Sequence, residues 1–176
     1  MLKTAAFVTV LAALALASAS VPGAPDPEFE AGGAAPGFFE ENLAIVVNKT
    51  NPVDDLSSAE LRRIFLAERR AWPGGRKITI AMREPGETER ETLLRLICRM
   101  SDADFNKHFI QLSFTGEAQV SPKVLASTGG MLRFVFNVPG AIGYVRTAEL
   151  DGSVKAVKVD GHGPGEALYR LKLPLR

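Results

Sequence analysis

The chain has 176 residues, 46% of them hydrophobic, with 21 basic and 20 acidic side chains and a formal net charge of +1. This is the make-up of one ordinary globular domain. The charge balance gives no electrostatic basis for binding nucleic acid or an anionic membrane. The single cysteine, Cys98, excludes an internal disulfide.

The first 19 residues have the form of a signal peptide. Lys3 supplies the charged start, Ala5 to Leu16 an apolar run too short to span a bilayer, and Ala15-Leu16-Ala17 and Ala17-Ser18-Ala19 two small-residue cleavage sites. A periplasmic or secreted location is therefore expected, with no stable membrane insertion after cleavage. No cysteine follows the run to carry a lipid anchor. Residues 20–41 are rich in Pro, Gly, Ala and acids without periodicity, as in a flexible leader. A single domain is expected over residues 42–176.

That domain alternates strands with helices. Leu43 to Val47 is a continuous apolar run, as in a strand buried on both faces. Ser57 with Glu60 forms a capping box ahead of Leu61, Ile64 and Phe65. Trp72 is expected to cover the edge of the core. Ile78 to Met82 has the β-branched alternation of a strand. Thr88 with Glu91 suggests a second capping box, with Leu93, Leu94 and Ile97 on the helical face and Cys98 buried beside them. Ser101 to Leu112 reads as a further helix, with His108 at its surface or edge, and Ser113 to Gly116 as a connector. Ser121-Pro122 reads as a helix start running to Asn137, unless the helix begins after Gly129-Gly130. Ala141 to Val145 and Val154 to Val159 read as strands, and Tyr169, Leu171 and Leu173 as a final edge strand. Such alternation implies an α/β architecture around a central sheet.

The chemistry concentrates in the loop from Arg83 to Arg90. A strand ends, Pro85-Gly86 turns the chain, and a helix begins at about Thr88. A helix start presents unpaired N–H groups and a positive dipole end. Arg83, Gly86, Thr88 and Arg90 are therefore the candidate residues for holding a small oxyanion. The plainer reading stays open beside it: a capped helix with acids in its first turn and Arg83 paired to one of them. His108 and His162 are the only histidines, neither in a G-x-S-x-G or H-E-x-x-H motif, so no catalytic residues, metal or cofactor are expected.

Two segments carry a family likeness. Leu56-Ser57-Ser58-Ala59-Glu60-Leu61-Arg62-Arg63-Ile64-Phe65-Leu66 and Asn137-Val138-Pro139-Gly140-Ala141-Ile142-Gly143-Tyr144-Val145 resemble motifs of the phosphate-binding periplasmic proteins of ABC transporters, and more closely a group of short secreted relatives. The resemblance runs from about Asn42 to Asp160. It implies a periplasmic-binding-protein-like (type 2) fold, reduced here to about one lobe plus hinge strands. It also implies binding of phosphate or another oxyanion for an ABC transporter or sensor. The alternative is an interaction module that has lost phosphate binding and docks on an envelope partner. The family loop reads approximately R-E-S-G-S-G-T-R-E-T-F, so Arg83 matches the anion-contacting arginine, while Glu87 and Glu89 replace hydroxyl residues. A carboxylate only accepts hydrogen bonds. Two like charges about 4 Å apart repel by roughly 4 kcal/mol at an effective dielectric near 20, against about 8 kcal/mol for a whole micromolar complex.

Overall fold

The computed structural model describes residues 41–114 and 121–174. The expected signal peptide, the expected leader up to residue 40, and Thr115-Gly116 lie outside them. Among the described residues no helix is long and apolar enough to cross a membrane.

Six strands form one mixed sheet: β1 (Leu43–Val47), β2 (Asp55–Leu56), β3 (Thr79–Arg83), β4 (Lys123–Leu125), β5 (Ala141–Arg146) and β6 (Lys155–Val159). Their order is β2-β6-β1-β5-β3-β4. β1 runs antiparallel to both neighbours, β5 and β6, while β3 pairs in parallel with β4 and β5. The helices are α1 (Ser58–Phe65), α2 (Thr88–Leu93), which continues into a π-helical turn at Leu94–Cys98, α3 (Asp102–Phe114) and α4 (Thr128–Asn137).

All five residues of β1 are fully buried. Its side chains alternate between two cores. Leu43, Ile45 and Val47 join α1, the π turn, α3 and the tail residues Tyr169, Leu171 and Leu173. Ala44 and Val46 join Met131, Leu132 and Val135 of α4. The continuous apolar run is therefore the pattern of a central strand with helices on both faces.

Local chemistry sets several elements. The Ser57–Glu60 capping box closes in both directions at the start of α1. Cys98 is buried, and burial pushes its thiol up to about 12. Trp72 is buried at the core edge, and its indole N–H donates to the Gly140 carbonyl at 3.0 Å. Half-buried His108 lies 3.0 Å from the Leu66 carbonyl through Nε2.

Four expectations are corrected. Ser113 and Phe114, expected in a connector, are the last residues of α3. Ser121-Pro122 does not start a helix. The next residues form β4, whose backbone finds partners in β3, and the helix start passes to Ser127, whose hydroxyl accepts the Gly130 amide at 3.1 Å. The two glycines thus occupy the first turn of α4. Thr88 does not cap α2. The N-cap is Glu87, with no side-chain cap bond, because its carboxylate is engaged elsewhere. Tyr169 to Leu173 makes no regular strand. It is joined to the stretch before β1 by one bridge, Asn42 to Lys172, while its three apolar side chains are buried as their alternation implies.

Two glycines are set by close approach. A Cβ on Gly140 would collide with the Lys77 carbonyl oxygen, and one on Gly143 would lie 2.5 Å from Met131 Sδ. Backbone cannot yield there, whereas a thioether can rotate aside. Gly140→Ala is expected to cost more than Gly143→Ala, within the about 1–3 kcal/mol typical of overpacking. Urea unfolding of both variants checks the order.

Candidate functional site

β3 and β5 run side by side in parallel, so Arg83 and Arg146 end at the same edge of the sheet. Leu43 at the start of β1 is in register with Arg146, which brings Glu41 to that edge as well. The carboxyl ends of parallel strands are where α/β sheets place their ligands.

The Arg83 amide donates to the Tyr144 hydroxyl at 2.9 Å, and its carbonyl accepts from Arg90 Nη1 at 2.9 Å. Its side chain is 9% exposed and pairs through Nη2 with Glu87 Oε2 at 3.2 Å. Nε and Nη1 of Arg83 are buried and without a partner among the described residues. Gly86 makes this pairing geometrically simple. At φ +88° it turns the chain between the strand and the helix, closed by the Glu87 amide on the Glu84 carbonyl at 3.3 Å.

Arg90 is 2% exposed and fully engaged. Nε pairs with Asp102 Oδ1 at 2.5 Å, Nη1 holds the Arg83 carbonyl, and Nη2 donates to Asn106 Oδ1 at 3.1 Å. Its guanidinium also lies 5.5 Å from the Phe105 ring centre. It clamps α2 to β3 and α3. Thr88 is half-buried at the first position of α2, where it lines a separate cavity of about 490 Å³ with Asp102 and Pro174.

Glu89 is 5% exposed. One of its oxygens accepts from Arg146 Nε, and the other is buried without a partner among the described residues. Arg146 also pairs with Glu41 at 2.5 Å. Burial alone would raise the Glu89 carboxyl. The Arg146 hydrogen bond, its own backbone amide and the charges of Arg146 and Arg83 outweigh burial, so it titrates below its ordinary 4.5. The edge thus carries the carboxylates Glu41, Glu87 and Glu89 against the guanidiniums of Arg83 and Arg146.

Of the candidate residues, the fold brings Arg83, Gly86 and Arg90 into one bonded unit. Glu41, Arg146, Asp102 and Asn106 are equally part of it and carried no motif. Arg146 follows the Tyr144-Val145 end of a recognisable strand, which is the one signal that could have found it. Among the described residues no group of three or more His, Cys, Asp or Glu is arranged to hold a metal.

No protein-family profile matches the sequence. Solved structures do match the fold. An ABC-type phosphate transport receptor from Vibrio cholerae is 26% identical with a TM-score of 0.62, over 76% of this chain and 54% of that one. A protein from Clostridium perfringens described as a phosphate ABC transporter substrate-binding protein, solved with bound phosphate, is 24% identical with a TM-score of 0.60, over 76% and 53%. PstS from Borrelia burgdorferi is 16% identical with a TM-score of 0.59, over 76% and 55%.

Glu89 makes a pH signature. Its folded-state value lies below its unfolded one, so its contribution to stability is complete above about 4.5 and is lost as pH falls through the folded value. Glu89→Gln is expected to cost about 2 kcal/mol at neutral pH and to flatten the acid limb of the stability curve. Thermal unfolding of both proteins between neutral and acid pH tests this.

The chain spans about half the length of the structures it matches, and over that span its α/β fold is the periplasmic-binding-protein-like fold of phosphate ABC transporter substrate-binding proteins.

Proposed function

We propose that this chain is an exported, phosphate-binding-protein-like domain whose oxyanion position is occupied by its own carboxylate. At neutral pH it acts as an interaction module of an envelope transport or sensing system and does not capture free phosphate. The Arg83–Glu87 ion pair carries this reading. The arginine that matches the family's anion contact is nearly buried and already holds an anion four residues away in the chain. An incoming phosphate has to displace Glu87 and then sit near Glu89, each like-charge approach at about 4 Å costing roughly 4 kcal/mol at an effective dielectric near 20. Export rests on the signal-peptide pattern at residues 1–19. The family likeness makes an ABC transporter component or another envelope protein the expected partner.

One observation favours a second reading, oxyanion binding with Glu87 swung away. Nε and Nη1 of Arg83 are buried donors with no acceptor among the described residues, and a phosphate oxygen would satisfy them.

A thermal-unfolding titration with phosphate, sulfate and chloride at fixed ionic strength separates the two. A ligand at a hundred times its dissociation constant adds about 2.7 kcal/mol, several degrees for a domain of this size. The native protein is expected to show no phosphate-specific shift. Glu87→Ser is expected to gain one, and Glu87→Ser combined with Arg83→Ala to lose it again. A phosphate shift in the native protein that Arg83→Ala abolishes overturns the first reading and establishes the second.

A further inference from the structure

A cavity of about 370 Å³ shares no lining residue with the charged edge around Arg83. It brings together three segments distant in the chain: the π turn and its end with Leu96, Ile97 and Arg99, the residue after β6, Asp160, and the tail with Arg170. β2 and β6 run in parallel, with Leu56 in register with Val159. Ser58 and Asp160, which both line the cavity, therefore lie just beyond the carboxyl ends of a parallel pair. Such ends are where α/β sheets place ligands. The volume falls within the about 300–1,000 Å³ usual for small-molecule sites.

Its charges are unequally spent. Neither the Arg99 nor the Arg170 guanidinium makes an ion pair or a hydrogen bond among the described residues. Asp160, the carboxylate at the cavity, is already committed. Oδ2 accepts from the Ser58 hydroxyl and Oδ1 from the Ser58 amide at 2.8 Å. The hydroxyl bond and then the amide bond hold this carboxyl below its ordinary 3.8, with the Arg170 charge contributing less. Two cations thus face the cavity against one carboxylate whose bonds go to the start of α1. The backbone adds an independent sign. Among the described residues three non-glycine residues have positive φ, and two of them, Arg99 at +56° and Asp160 at +52°, line this cavity. Aspartate enters that region more readily than most side chains, whereas an arginine gains nothing from it. Arg99 ends the π turn where glycine is the usual residue. Residues held in such conformations concentrate at functional sites.

We propose that this cavity binds a small organic anion, its carboxylate or phosphate held by Arg99 and Arg170 and its apolar body against Leu96 and Ile97. Guanidiniums present forked donors that match the oxygens of either head group. The single positive charge in excess suits a monoanion, because Asp160 repels a second negative charge on the ligand. Ile97 and Leu171 are buried and Leu96 is half-covered at 36% exposed, so the cavity offers an apolar wall beside its cations. The proposal is independent of the oxyanion reading, since it uses neither Arg83 nor Glu87.

Amide chemical shifts of the purified protein, followed by NMR at fixed ionic strength, test it with hexanoate, butyl phosphate and neutral 1-hexanol. At least one of the two anions is expected to give saturable shifts at Leu96 to Arg99, Asp160 and Arg170-Leu171, and the tighter of them identifies the head group. Arg99→Gln and Arg170→Gln are each expected to weaken that binding at least about ten-fold. Arg99→Gly is expected to weaken it equally while raising the ligand-free unfolding midpoint, because glycine fits the left-handed backbone. A lower midpoint for Arg99→Gly marks this arginine as structural and overturns its role. No saturable shift at those amides with either anion overturns the proposal. So does binding that both glutamine variants leave unchanged, or a response to 1-hexanol equal to that of hexanoate.

Discussion

A buried guanidinium fixes the carboxyl end of this sheet. Arg90 sits on α2, yet its bonds go to the β3 carbonyl at Arg83 and to Asp102 and Asn106 on α3. A charge so enclosed is tolerable only when its donors find acceptors. The loop between β3 and α2 can therefore vary little in position. That constraint sets where Arg83 ends, how the Gly86 turn closes and which side chain lies within reach of the Arg83 guanidinium. Arg90, one of the two arginines that the sequence offered as oxyanion candidates, is the one that holds the frame.

The charged edge built on that frame is a chain of alternating signs, from Glu87 through Arg83, Glu89 and Arg146 to Glu41. Each charge has a partner of opposite sign, while Nε and Nη1 of Arg83 and one oxygen of Glu89 have no hydrogen-bond partner among the described residues. In a protein whose purpose is to capture an anion, donors are arranged with their acceptor left to the ligand. Here Glu87 supplies an acceptor to Arg83 Nη2 from within the chain, tethered four residues away. The scaffold is shared with the phosphate receptors of like fold, while the start of α2 places two carboxylates, Glu87 and Glu89, beside the guanidiniums of Arg83 and Arg146.

What could be read in the sequence was the chemistry of near neighbours. The Ser57–Glu60 box, the buried run at Leu43 to Val47 and the burial of Cys98 depend on residues a few positions apart, and they stand as expected. The loop candidates Arg83 and Arg90 were legible as a cluster, though their opposite fates were not. Most of what failed depended on distant partners. Ser121-Pro122 has every local mark of a helix start, and pairing with β3 draws the next residues into a strand. Thr88 has the spacing of a cap, and attraction between Glu87 and Arg83 shifts the helix start by one residue. Arg146 and Glu41 meet across 105 positions, and only the register of β1 on β5 brings them together.

That register has a consequence for how the chain folds. β1 is the first element in chain order, yet both of its sheet neighbours lie between Ala141 and Val159, about a hundred residues later. The sheet's central pairings close loops of about a hundred residues, and such non-local contacts slow folding. Until those late strands are available, the most apolar strand of the protein has no sheet to enter. Formation of the sheet's centre is therefore expected to wait until β5 and β6 are present.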